Sequence, residues 1–364
     1  MKKKCSNILK KFSLVFLTII LFLTGCTNAP LKSSSQTKDF VQEDSNTEEE
    51  TATETATETA TETVQTVREE TKQETKIRIG VTLAGSDASY QVMLANYIEA
   101  QCEKDDVELT LSYAEWDVKT QTATMEAFIQ EDMDAIILCP VNVKSMLSSL
   151  KEAAAAKIPV INLNMKVDAI STEYISTYVG ASMTEEAVLA ASMVEDILNM
   201  QEGKVAIIEG TPGTDPQIYR TEGFFNAISS LPQIKVVQIG EGDWDRDKAY
   251  RQTLTIIQKN PDISIIYAQD SEMAMGAIRA VEEKKLENQI KVIGIGEGNE
   301  YLQAIKDGKL YGLIYQDAKY EATQAVKCAI EAASGNTLRP WYKNPVQIVT
   351  KENVETIESS LEKQ

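Results

Sequence analysis

The chain has 364 residues, enough for two sizeable cores, and its 43% hydrophobic content is that of an ordinary globular protein. Its net charge is −19 and its basic residues form no stripe, which argues against nucleic acid as a partner, since phosphate is held by clustered Lys and Arg. There is no histidine, so the commonest general base, triad member and metal ligand is missing, and an enzyme or a metal protein is disfavoured.

Lys2, Lys3, Lys4, Lys10 and Lys11 open the chain. Residues 12–23 form an apolar run too short to span a bilayer comfortably, and Leu23-Thr24-Gly25-Cys26 places small residues before a cysteine. These blocks, in this order, resemble a bacterial lipoprotein signal. The resemblance implies a signal peptide over 1–25, cleavage before Cys26 and lipid on the Cys26 sulfur. Removing 1–25 takes away five lysines and no acidic residue, so the charge moves from −19 to about −24. Residues 26–76 read as a disordered tether. The segment is rich in Thr, Ser, Glu and Gln, carries tandem Thr-Ala-Thr-Glu units over 51–63, and has almost no large apolar residues after Val41, so it cannot bury a core. As a coil it would span roughly 40 Å. Of the five cysteines, Cys5 leaves with the signal and Cys26 takes the lipid. Cys102, Cys139 and Cys328 are an odd, widely spaced set, read as buried thiols.

From residue 77 short apolar runs alternate with amphipathic helical stretches. The runs at 77–83, 107–113, 135–138, 159–163 and 174–179 predict five strands, and those at 205–209, 235–240, 263–268, 291–295 and 310–315 predict five more. Helical periodicity lies between most of them, as at 90–104, 143–156, 184–200 and 272–284. This alternation predicts an α/β fold with parallel sheets covered on both faces. Ten strands exceed one comfortable sheet, so two doubly wound lobes are expected, with function in the loops after the strand ends.

Those loops carry a series of motifs. They are Ile137-Leu138-Cys139-Pro140-Val141-Asn142, Lys157-Ile158-Pro159-Val160-Ile161-Asn162-Leu163-Asn164, Arg220-Thr221-Glu222-Gly223-Phe224, Trp244-Asp245-Arg246, Ala268-Gln269-Asp270-Ser271-Glu272-Met273-Ala274 and Val292-Ile293-Gly294. The order and spacing from residue 77 onward resemble the ribose-binding type of periplasmic binding protein. The resemblance implies two lobes joined by a three-strand hinge, with crossings near Ala181, Gln316 and Gln347. One lobe would be 77–181 plus 317–347 and the other 182–316 plus 348–364, with ligand in the cleft between them and closure by hinge motion.

Site residues follow from the same resemblance. Trp244 would stack an indole on the C–H face of a ring, and Tyr90 stands near the family's first-lobe aromatic contact. Asp270, Asn164 and Gln316 would hydrogen-bond ligand hydroxyls, although Asp270 also reads as a helix N-cap. Met165 and Ile218 stand where sugar-binding relatives often carry Arg, while Arg220 matches a neighbouring Arg that does not contact ligand. Gly296 replaces a common Asp, and Glu297 follows it. The missing guanidiniums disfavour an anionic ligand. A neutral or cationic ligand with an apolar face is expected: a sugar, polyol, nucleoside or amine-bearing compound.

Gly294-Ile295-Gly296-Glu297-Gly298 lacks dinucleotide-binding spacing. Asp243, Asp245 and Asp247 read as a capped helix start rather than a calcium loop. No catalytic constellation, metal site or cofactor is expected. The expected protein is a monomeric, lipid-anchored binding protein on the outer face of the cytoplasmic membrane, serving the permease of an ABC importer. A receptor-coupled sensor would use the same clamp.

Overall fold

The computed structural model describes residues 76–361. The signal segment, Cys26 and nearly all of the tether lie outside the described residues.

The chain builds a first sheet from β1 (Arg78–Leu83), α1 (Ser89–Lys104), β2 (Glu108–Tyr113), α2 (Val118–Gln130), β3 (Ala135–Leu138), α3 (Leu147–Ala155), β4 (Val160–Leu163) and β5 (Thr177–Gly180). It then builds a second from α4 (Met183–Leu198), β6 (Gly203–Glu209), α5 (Asp215–Ile228), β7 (Ile234–Glu241), α6 (Arg246–Lys259), β8 (Ile265–Ala268), α7 (Ser271–Lys284), β9 (Lys291–Gly296), α8 (Asn299–Lys306) and β10 (Gly312–Tyr315). The return segment is α9 (Ala318–Ala333) and β11 (Trp341–Lys343), followed by β12 (Gln347–Thr350) and α10 (Val354–Leu361).

The sheets run β11-β5-β4-β3-β1-β2 and β12-β10-β9-β8-β6-β7. All pairings are parallel except that of β12 with β10. Central strands read as unbroken apolar runs because both of their faces are covered. In β3, Ala135 and Ile137 point to the core under α1 and α9, while Ile136 and Leu138 point to the core under α2 and α3. In β8, Ile266 and Ala268 face α6 and α7, while Ile265 and Tyr267 face α4 and α5.

Three short passages join the sheets, at 181–182, 316–317 and 344–346, and Gln347 opens β12 in the second sheet. Helix α9 leaves β10 in the second sheet and packs on α1, β3 and β4 of the first.

Two local differences from the expected elements have physical causes. Ser171–Tyr174 forms a 3-10 turn, because the Asp168 carboxylate accepts the Ser171 N–H at 3.0 Å. The fifth strand therefore begins only at Thr177. Strands β11 and β12 are three and four residues long, too short for alternation to register. Cys102, Cys139 and Cys328 are buried and unpaired. Among the described residues no helix is long and apolar enough to cross a membrane.

Candidate functional site

In both sheets the chain order reverses beside the first strand, between β3 and β1 and between β8 and β6. Loops at the carboxyl ends of strands open around such a switch point, and here they enclose a cavity between the sheets. Tyr90, Gln91, Trp116, Asn164 and Met165 line it from the first lobe. Arg220, Trp244, Asp270 and Ser271 line it from the second, and Gln316 lines it from a crossing segment. The lobes are closed over it. Val143 N–H donates to Gly213 O at 3.2 Å across the gap, Ala88 joins the second-lobe core, and Trp116 packs against the cores of both lobes.

A continuous polar network runs behind the cavity. Ala84 N–H donates to Gln91 Oε1 at 3.2 Å, Gln91 Nε2 to Asn164 Oδ1 at 3.3 Å, and Asn164 Nδ2 to Glu321 Oε2 at 2.9 Å. Asn164 holds φ at 58°, a left-handed conformation that Asn adopts more readily than most residues. The other Glu321 oxygen accepts from Gln316 Nε2 and Asn344 Nδ2, both at 3.0 Å, and from Ala181 N–H at 3.2 Å. Ala181, Gln316 and Asn344 lie one on each of the three interlobe passages. A single buried carboxylate therefore ties all three. Burial pushes Glu321 up to about 7, against the pull of the three side-chain amides that donate to it.

From the second lobe, Arg220 Nη2 donates to Gln316 Oε1 at 3.1 Å and Arg220 Nε to Glu186 Oε2 at 2.8 Å. The guanidinium is thus matched by a carboxylate before any ligand enters. Asp270 caps α7, its Oδ1 accepting Met273 N–H at 2.8 Å, and burial pushes it up to about 7. The Tyr90 hydroxyl and Trp244 Nε1 are buried with no hydrogen-bond partner among the described residues. The cavity is therefore aromatic and thioether-walled, with a few convergent polar groups, the usual chemistry of a small-molecule site.

The family model for the periplasmic binding protein domain matches residues 79–337. The chain belongs to that family. This periplasmic binding protein is 26% identical over 273 residues to the ribose import binding protein RbsB of Bacillus subtilis, which covers 75% of this chain and 87% of that protein. It is 30% identical over 262 residues to the fructose import binding protein FruE of Bifidobacterium longum, covering 68% and 78% respectively. Among solved structures, an ABC transporter solute-binding protein from Bacillus halodurans C-125 with bound myo-inositol superposes with a TM-score of 0.75. That pair is 31% identical over 79% of this chain and 99% of the other.

Of the residues singled out in the sequence, Tyr90, Asn164, Met165, Trp244, Asp270 and Gln316 line the cavity of this binding protein. Ile218 and Glu297 do not. Pro216 and Arg220 are four residues apart on α5 and share its cavity face, whereas Ile218 lies between them, on a different face of the helix. Arg220, read as a bystander, is the guanidinium at the cavity. Gly296 reaches the cavity, and the Glu297 carboxylate turns to the second passage instead. There it accepts from Tyr315 Oη and Ala318 N–H, both at 3.0 Å, and burial pushes it up to about 7. Trp116 and Gln91 were not singled out. Trp116 had a signal: Glu115-Trp116-Asp117 after β2 echoes Asp243-Trp244-Asp245 after β7. Gln91 had none. Among the described residues no group of acidic or thiol side chains is placed to hold a metal ion, and Asp245 caps α6 by accepting the Lys248 N–H.

Proposed function

We propose that this protein captures a sugar or sugar-like small molecule between its lobes and delivers it to the permease of an ABC importer, from a lipid anchor at Cys26 on the outer face of the cytoplasmic membrane. It acts as a monomeric carrier without a chemical step. The observation that carries the reading is the closed cavity, where indoles from both lobes stand beside hydrogen-bonding groups at the strand ends. Apolar walls take up the C–H faces of a ring, and Asp270, Asn164, Arg220 and Gln316 orient its hydroxyls. Relatives support the ligand class. The ribose and fructose import proteins are named for sugars, and the Bacillus halodurans structure holds a cyclic polyol.

The decisive experiment is a thermal-shift screen of the chain from residue 27 onward against sugars, polyols, nucleosides and amines. Ligand present at 100 times its Kd stabilises the native state by about 2.7 kcal/mol, several degrees for a protein of this size. A shift with a sugar or polyol is expected. Shifts confined to nucleosides or simple amines, or none in the whole panel, would overturn the reading.

A further inference from the structure

The lobes touch along a seam beside the cavity. On the second lobe the seam is the stretch that enters α5, residues 213–216. Val143 N–H of the first lobe donates to Gly213 O at 3.2 Å, and a Cβ on Gly213 would meet Asn142 Nδ2 at 2.3 Å. Asp215 follows as the first residue of α5. It is 1% exposed, and neither carboxylate oxygen has a hydrogen-bond partner among the described residues. A carboxylate buried in this way is costly when charged.

Charged groups face it from both lobes. Lys166 stands opposite on the first lobe, its Nζ 4.6 Å from the centre of the Tyr178 ring and 4.3 Å from that of Trp341. Those aromatic faces hold the ammonium on its own side of the seam. From the second lobe come Arg220 on α5 and Glu186 on α4, which are paired with each other. Tyr178 also senses Asp215, but it is uncharged, its hydroxyl donating to Asn164 O at 2.6 Å. The two cations favour a charged Asp215 and Glu186 opposes it. Burial outweighs the cations and pushes Asp215 up to about 7. Part of that burial comes from the first lobe, so parting the lobes returns the carboxylate to water.

We propose that Asp215 couples closure of the lobes to the uptake of one proton, so that this protein captures ligand more tightly as its surroundings acidify. The inference rests on the reading of the cleft as a clamp that closes on a sugar-like ligand. The sign follows from linkage. The closed form keeps the proton up to about pH 7, whereas an exposed aspartate keeps it only up to about pH 4. Between those values closing takes up a proton, and each fall in pH favours the closed form. A ligand that selects the closed form inherits the dependence. Above about pH 7 both forms are charged, and closure must bury the bare carboxylate.

The test uses myo-inositol, D-ribose and D-fructose, none of which carries an acidic or basic group. Calorimetry near pH 6, in two buffers of different ionisation enthalpy, counts the protons taken up on binding. Asp215→Asn is uncharged and nearly the same shape, and should lower that count by about 0.5–1. The difference between the two proteins isolates this group, since Asp270, Glu297 and Glu321 are raised as well. Asp215 should account for an affinity gain of about 10- to 25-fold between pH 7.5 and pH 5.5 in the wild type. Asp215→Asn should lack that share and bind at least as tightly as wild type at pH 8. Lys166→Met keeps a chain over the two rings and removes the facing cation. It should weaken binding at pH 8 and leave it within about threefold at pH 5.5. Equal proton counts in wild type and Asp215→Asn, or a Lys166→Met loss that is the same at both pH values, would overturn the proposal. If no probe binds, the sugar-type reading fails on its own, and single-molecule FRET between dyes on the two lobes decides this one. The closed fraction of the ligand-free protein should rise as pH falls, and at pH 8 it should be higher in Asp215→Asn than in wild type. A closed fraction that responds to neither change would overturn the coupling.

Discussion

Replacing Glu321 with alanine should be among the most damaging single changes in this protein, although the residue is not among those that line the cavity and sits in the first turn of α9. Its side chain is fully buried and accepts four hydrogen bonds, from Ala181 N–H, Gln316 Nε2, Asn344 Nδ2 and Asn164 Nδ2. A buried donor left without a partner costs about 1–3 kcal/mol. Some of the four will find new partners, since the amides are free to turn, so a net loss of about 3–5 kcal/mol is expected. At about 2–4 °C per kcal/mol for a chain of this size, the melting temperature should fall by about 6–20 °C. Asn344→Ala is the graded control. It removes one donor and leaves Glu321 with three, so about 1 kcal/mol is expected. Differential scanning calorimetry of the ligand-free protein measures both. The reasoning fails if Glu321→Ala costs less than about 1 kcal/mol, or no more than Asn344→Ala, because the carboxylate would then not be holding the three passages together. The pH dependence has a definite sign. Burial raises Glu321 to about 7, above the ordinary carboxylate value of about 4.3. The stability it contributes is therefore fully present below about pH 4 and lost as pH rises through about 7. Asp215, Asp270 and Glu297 are raised to about 7 by burial as well. The wild-type melting temperature should accordingly decline between pH 5 and pH 8, and Glu321→Ala should show a shallower decline.

Two further outcomes are expected. Asp270→Asn keeps an N-cap side chain on α7 and changes only the charge at the cavity, so calorimetry should show a neutral sugar bound within a few-fold of wild type and a cationic ligand weakened by tenfold or more. A cationic ligand bound equally well by both proteins would remove Asp270 from the site. Cys26→Ser should shift the protein from the membrane fraction to the medium, or leave a full-length precursor, and unchanged fractionation with normal processing would rule out the lipid anchor.

Trp244 shows why a sequence reading of this cleft stops short of its energetics. The indole lines the cavity and also belongs to the second-lobe core, 6% exposed among buried residues such as Ile208 and Met273. Its removal would cost about 3–5 kcal/mol of stability as well as affinity, so the change that separates the two roles is at Asp270. The sheets themselves were legible because central strands buried on both faces are written as apolar runs bounded by polar loops. Strands β11 and β12 were not, since their order comes from pairing with β5 and β10 rather than from their own few residues. At the cavity, positions just past strand ends were legible and phase was not. Helix α5 turns Arg220 inward and leaves Ile218 off the cavity face, and which of two residues two apart faces the ligand depends on where the Thr214 N-cap starts the helix.

Glu321 marks the other boundary. In the sequence it is one acidic residue in a helix of ordinary composition, indistinguishable from those that face water. Only the return of α9 from the second sheet to pack across the first carries it beneath Ala181, Gln316 and Asn344. Three separate stretches of chain each contribute one donor to a single acceptor, and the burial that results is what raises its pKa. The hinge of this protein is therefore a polar centre as well as a set of connecting strands. Asn164 and Gln316 each have a place in that centre and a place at the cavity, so the cavity wall and the junction of the three passages are built in part from the same two side chains.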